Sequence, residues 1–197
     1  MRPLIRRHAA AGPTQAILRP TELEYPALYD DILKAAMFDH PIFDKAAGSK
    51  GGLAGNLLVV RQESGASVQL DAQVDLVLQL PAPRVSGAYM GTLIQEDFEV
   101  LAALGLGYAA WLLDRVDPTQ RLSHIVPVAT VLGASYQTWR TRAQQVASPN
   151  AHAMRMGSEN PSPVHLTPAH RPRPALKQKA RDFSVDLIAL LRRQMRP

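Results

Sequence analysis

The stretch GSKGGLAGN, residues 48–56, carries the lysine and clustered glycines of a phosphate-binding loop. Such a loop needs a strand before it and a helix after it, so that loop amides and the helix N-terminus face the phosphates. Here the patterning gives a helix before and a strand after, and Gly51 follows Lys50 where a hydroxyl side chain is required. The stretch is therefore expected to be a solvated helix-to-strand connector that binds no nucleotide. Asp71 and Asp75 share one face of an expected strand, two pleats apart. Paired acids at that spacing hold metals in nucleases, but LVLQL at 76–80 supplies neither a lysine nor a third acid, so a wet strand face is expected. The six histidines are scattered; no HExxH and no GxSxG is present, and there is no cysteine. Thiolate metal sites, disulfides and cysteine catalysis are excluded. The expectation is a non-enzymatic protein with no cofactor and no metal.

Charge is more informative. Residues 1–20 carry +4, residues 21–164 carry −5 and residues 165–197 carry +6, which gives the net +5. Two basic ends flank an acidic body. Such ends suit nucleic acid, acidic protein surfaces or anionic lipid, or they fold back on the acidic body of the same or a neighbouring copy. The N-terminal twenty residues lack the apolar core of a secretory signal; they read as a basic arm or as an organellar transit peptide. The longest near-apolar run, FEVLAALGLGYAAWLL at 98–113, contains Glu99 and is short for a membrane span. A cytoplasmic setting fits.

These side chains must be positioned by elements that the periodicity predicts. Leu28, Ile32, Leu33, Ala36 and Met37 are at helical spacing, so a helix is expected over 26–38. LLVV from Leu57, the turn ESGA, and alternation from Val68 to Leu80 predict a hairpin over 57–80 with one buried and one wet face. Thr92 and Gln95 have capping-box spacing ahead of a long helix to Val116, with Gly105 and Gly107 permitting close packing against a neighbour. Asp117-Pro118 is expected to open a further helical stretch. Six prolines between 149 and 174 predict a linker, and Leu176, Ala180, Phe183, Leu187, Leu190 and Leu191 predict a basic amphipathic helix over 175–197.

Residues 128–142 read VATVLGASYQTWRTR. Two helices with Gly133 in the turn and Ser135 as cap would place Val128 and Ala129 on the first helix. Through Val128, Ala129, Gly133, Ser135, Tyr136, Gln137 and Thr138 the segment resembles the helix-turn-helix of Lac-repressor-family DNA-binding domains. That resemblance implies that Tyr136 and Gln137 face the major groove, with Ser135 and Thr138 near phosphates. The other arrangement is one amphipathic helix over 127–147 that buries Val128, Leu132, Trp139, Ala143 and Val146.

The expected fold is α+β: a small antiparallel sheet around the 57–80 hairpin, covered by helices, with an extended basic tail. The expected organisation is a basic arm over 1–20, a globular domain over 21–148, a linker over 149–174 and a final helix. The leading expected function is non-enzymatic DNA binding. Its residues are Ser135, Tyr136, Gln137, Thr138 and Arg140 from the helix-turn-helix, with Arg171, Arg173, Lys177 and Lys179 on phosphates. The alternative is an assembly subunit of the virion or secretion type, whose basic arms reach neighbouring subunits.

Overall fold

Five strands supply the first part of the sheet: β1 (Arg2–Arg6), β2 (Ser49–Ala54), β3 (Leu57–Gln62), β4 (Ser67–Asp71) and β5 (Leu76–Gln79). The computed structural model describes residues 2–6, 37–55, 57–71, 75–82, 92–134, 137–149 and 161–195. β2 to β5 form an antiparallel meander. The alternation sets its burial: Leu58 and Val60, Val68 and Leu70, and Leu76, Leu78 and Leu80 all face the core. The expected hairpin is present, but the run from 68 to 80 is two strands, not one. Asp71 and Asp75 close the β4–β5 hairpin, where the Asp75 amide donates to Asp71 Oδ1 at 2.8 Å. Alternation, broken only at Val77, persists through a reversal that keeps phase, so periodicity alone does not reveal the turn. Val74 lies outside the described residues, as does the expected 26–38 helix up to Ala36; Met37 and Phe38 are helical.

The glycine-rich stretch is not a connector. Residues 49–54 are β2, an edge strand in register with β3, Gly51 opposite Val60. Glycine is required at 51: φ is 150°, and a Cβ there would lie 1.9 Å from the Val59 carbonyl oxygen. The connection to β3 spans only residues 55–56, and Gly55 turns at φ 62°.

A short strand, β6 (Thr92–Ile94), leads into the helix α1 (Gln95–Val116). The expected capping box at Thr92 is not formed: Thr92 is in the strand, and Ile94 occupies the N-cap without a side-chain bond. Asp117 ends α1 instead of opening a helix, and its carboxylate accepts from the Arg121 and Leu122 amides. The chain then enters β7 (His124–Thr130), pairs β8 (Thr138–Arg140) in parallel with β6, and forms the helix α2 (Arg142–Ala147). A capping box does form here, between Thr141 and Gln144.

β7 and β8 overturn the expectation of a single helix over 127–147, of which residues 142–147 alone are helical among the described residues. Ile125, Val126, Val128 and Thr130 are β-branched, and every residue from 125 to 130 is buried. A strand buried on both faces shows no alternation, and a short apolar run of that kind reads equally well as helix. Its core neighbours are β1 on one side and, on the other, β9 (Val164–His165) and β10 (Arg171–Pro172). Pro127 sits between the positions paired to β9 and to β10, where the outer ladder is interrupted and a missing amide is tolerated.

The eight-stranded sheet runs β10-β7-β1-β5-β4-β3-β2, with β9 also on β7. Over 161–174 the proline-rich stretch is thus built into the sheet instead of linking two units. The helices α3 (Ala175–Gln178) and α4 (Ala180–Gln194) complete the chain. α4 packs on α1, β7 and β9. The predicted stripe is buried at Leu176 on α3 and at Phe183, Leu187 and Leu191 on α4, joined by Ile188. Strand and helix residues share one hydrophobic cluster, and the fold is α+β. Among the described residues no helix is long and apolar enough to cross a membrane.

Candidate functional site

The described residues of the segment expected to read DNA do not stand on a recognition helix. Val128 and Ala129 are in β7, Thr138 and Arg140 are in β8, and Gly133 lies in the loop between them at φ 69°. Gln137 and Thr138 are half-buried, and the Gln137 amide donates to the Ala134 carbonyl at 3.1 Å. Ser135 and Tyr136 lie outside the described residues. Arg140 is turned onto α2, donating to Gln145 Oε1 at 2.7 Å and to the Gln144 carbonyl. Trp139 is packed edge-on to Phe98 with its indole N–H toward Met195 Sδ. The segment is therefore anchored as strand and cap at the N-terminal end of α1, where Arg142 pairs with Asp97 and its amide donates to Glu96.

The four basic residues of the C-terminal segment separate into two kinds. Arg173 is buried and does not serve as a phosphate contact. Its Nη1 donates to Asp117 Oδ2 at 2.7 Å, and its Nη2 donates to Asp114 Oδ1 at 2.9 Å and to the Asp117 carbonyl at 3.1 Å. Asp117 is itself 1 % exposed. Two buried opposite charges hold each other, and the Arg121 and Leu122 amides satisfy the rest of the carboxylate. Lys177 and Lys179 are exposed, and Arg171 is half-buried.

Arg171 and Lys179 line a groove of about 540 Å³ between β10 and the α3–α4 helices. Pro172, Pro174 and Phe183 give it apolar walls; Asp182 and Asp186 put two acids beside the two bases. The Arg171 guanidinium lies over the Phe183 ring at 5.7 Å. One of its amine groups donates to the Thr167 carbonyl at 3.2 Å. A smaller cavity of about 200 Å³ adjoins, sharing Pro174 and Gln178 and lined by Arg173, Asp114 and Lys177. The groove offers apolar contact and both signs of charge within a few residues. That suits an extended peptide segment better than a polyanion, because Asp182 and Asp186 repel phosphate. No group of three or more His, Asp or Glu that could hold a metal occurs among the described residues.

A second cluster was not foreseen. His40, Phe43, Tyr108 and Trp111 meet ring to ring at 4.9–5.5 Å. Arg115 covers the Trp111 face at 3.6 Å. The buried Tyr108 hydroxyl donates to the Met37 carbonyl at 2.8 Å, and burial raises its pKa far above the usual phenol range. Burial, then Arg115, lowers the His40 pKa against an opposing pull from Asp39. The aromatic residues of PIFD and of GYAAWLL are visible in sequence, but nothing local says that they meet. Compared with protein-family models, with curated proteins and with solved structures, the chain matches none.

Proposed function

We propose that the protein is a non-enzymatic subunit of a protein assembly, and that it holds an extended segment of a protein partner in the groove between β10 and α3–α4. The observation that carries this reading is the composition of the groove: Arg171 and Lys179 line it together with Asp182 and Asp186, beside walls of proline and phenylalanine. Apolar walls with both signs of charge give contact area and register, and backbone amides of an extended peptide supply hydrogen bonds. The burial of Arg173 and the placement of Arg140 on α2 take two cations away from a nucleic-acid reading.

A specific observation keeps DNA binding as the second reading. Lys177, Lys179 and Arg181 are all exposed within five positions, which makes a compact cationic patch at the start of α4. Phosphate contacts there would be independent of sequence and steeply salt-dependent.

One experiment separates the two. A random linear-peptide library is panned against the full chain, with an Arg171→Asp, Asp186→Lys variant as counter-target, and the same proteins are titrated with random duplex DNA across a salt series. The assembly reading expects peptides that prefer the wild type by at least about tenfold. It is lost if no peptide is enriched and duplex DNA binds with a steep salt slope that Lys177→Glu, Lys179→Glu removes.

A further inference from the structure

α1 packs into the core along one side and presents an apolar surface on the other. Val100 is 61 % exposed and Leu104 is 48 % exposed. With Gly107 and the half-buried Trp111 they form the middle of that surface, and Glu96 and Arg115 stand at its two ends. At 3.6 residues per turn these six positions fall within an arc of about 100°. Glycine inside an exposed helix face costs about 1 kcal/mol relative to alanine, and it is kept where a backbone must be approached closely. At Gly107 a Cβ would meet nothing within 4 Å, so no contact among the described residues demands it.

We infer that this face is a homodimer interface in which two α1 helices cross antiparallel about a two-fold axis. Charge complementarity selects a second copy as the occupant. Glu96 and Arg115 are equidistant from the point midway between Gly105 and Leu106, and so are Val100 and Trp111, and Leu104 and Gly107. A two-fold axis through that point sets each acid against the partner's base. It sets Val100 opposite Trp111 and seats Leu104 over the glycine opposite. Arg115 is held in place by Trp111, and Asp114 beside it is engaged by Arg173. Glu96 is fixed by the Arg142 amide. The interface has a dry centre and charged ends, and its acid and base alternate only in the antiparallel sense. None of its residues lines the groove at β10, so the inference does not depend on what that groove binds.

The test is sedimentation velocity of the full chain at protein concentrations of roughly 1–100 μM, with circular dichroism to check folding. The expected result is a dimer for the wild type. Leu104→Glu, Val100→Glu and Gly107→Leu are each expected to weaken it by at least about tenfold with the helix signal intact. Val100 and Leu104 are exposed, a Cβ at Gly107 would meet nothing within 4 Å, and the last variant replaces glycine with a good helix former. Arg115→Glu is expected to weaken the dimer, and Glu96→Arg with Arg115→Glu to restore it. Because the chain has no cysteine, Leu104→Cys and Gly107→Cys chains can be mixed under oxidation. They should cross-link to each other faster than either does to itself. A wild type that stays monomeric overturns the inference and leaves the face to another protein or to a segment of the same chain. A dimer unaffected by Leu104→Glu and Val100→Glu overturns it too, by placing self-association elsewhere.

Discussion

Arg173 and Asp117, 56 positions apart, are joined at 2.7 Å inside the protein, and both are nearly inaccessible to water. The pair fastens the C-terminal segment to the end of α1. Removing one member leaves the other charged in a low-dielectric setting, so Arg173→Met should destabilise by about 3–5 kcal/mol. Arg171, two positions earlier, is a control. It keeps one donor, Nε, buried without a partner among the described residues. Arg171→Met retains an apolar stem on Phe183 and removes that unmet donor, so its cost should be within about 1 kcal/mol. Denaturant unfolding of the two variants checks this, and equal costs would contradict the buried-pair account.

Two glycines should answer alanine in opposite ways. Gly51 has a positive φ, and its missing side chain makes room for the Val59 carbonyl. Gly51→Ala should therefore cost at least about 1–3 kcal/mol. Gly107 is helical with open space around it, so Gly107→Ala should stabilise the monomer by about 0.5–1 kcal/mol. Thermal unfolding at low protein concentration measures both without a contribution from self-association.

His40 gives a pH dependence whose direction follows from its lowered pKa. Between the folded value and the unfolded value of about 6.5, the unfolded chain takes up a proton that the folded chain refuses. Stability therefore falls as the pH drops below the unfolded pKa, and the loss is complete once the pH is below the folded pKa. The rings packed against it are Tyr108 and Trp111, and the charges that act on it are Arg115 and Asp39. His40→Phe keeps an aromatic ring in the cluster and has no proton to take up. Its melting temperature should decline less than that of the wild type on acidification through this window. Parallel curves for the two proteins would show that His40 does not contribute.

The meander and the stripe on α4 were legible because each has one buried and one wet face, so that Val68, Leu70, Phe183 and Leu187 mark their elements by period. β7 was not legible, because burial on both faces erases the period and Pro127 resembles a helix start. The proline-rich stretch read as a linker since composition reports no pairing partner; its ladder to β7 is set by residues some forty positions away in sequence. The candidate site suffered most. Arg173 and Lys177 are alike in sequence, and only a carboxylate 56 positions upstream makes the first a buried strut and leaves the second on the surface.

β7 takes its ladder partners from residues 2–6 on one side and from 164–165 and 171–172 on the other. The meander β2–β5 closes only short loops, whereas β7 waits for two long ones, and long closures are slow. Assembly should therefore be sequential, with the meander as an early nucleus and β7 as the last strand to lock. Pulse-labelling hydrogen exchange during refolding should find the amides of Val60 and Val68 protected before those of Val126 and Val128; simultaneous protection would mean a single concerted closure. A growing chain would then expose β7, whose residues 125–130 are all buried in the folded protein, until residue 172 has been made, which makes the interval before that point the time at which it most needs shielding from other chains.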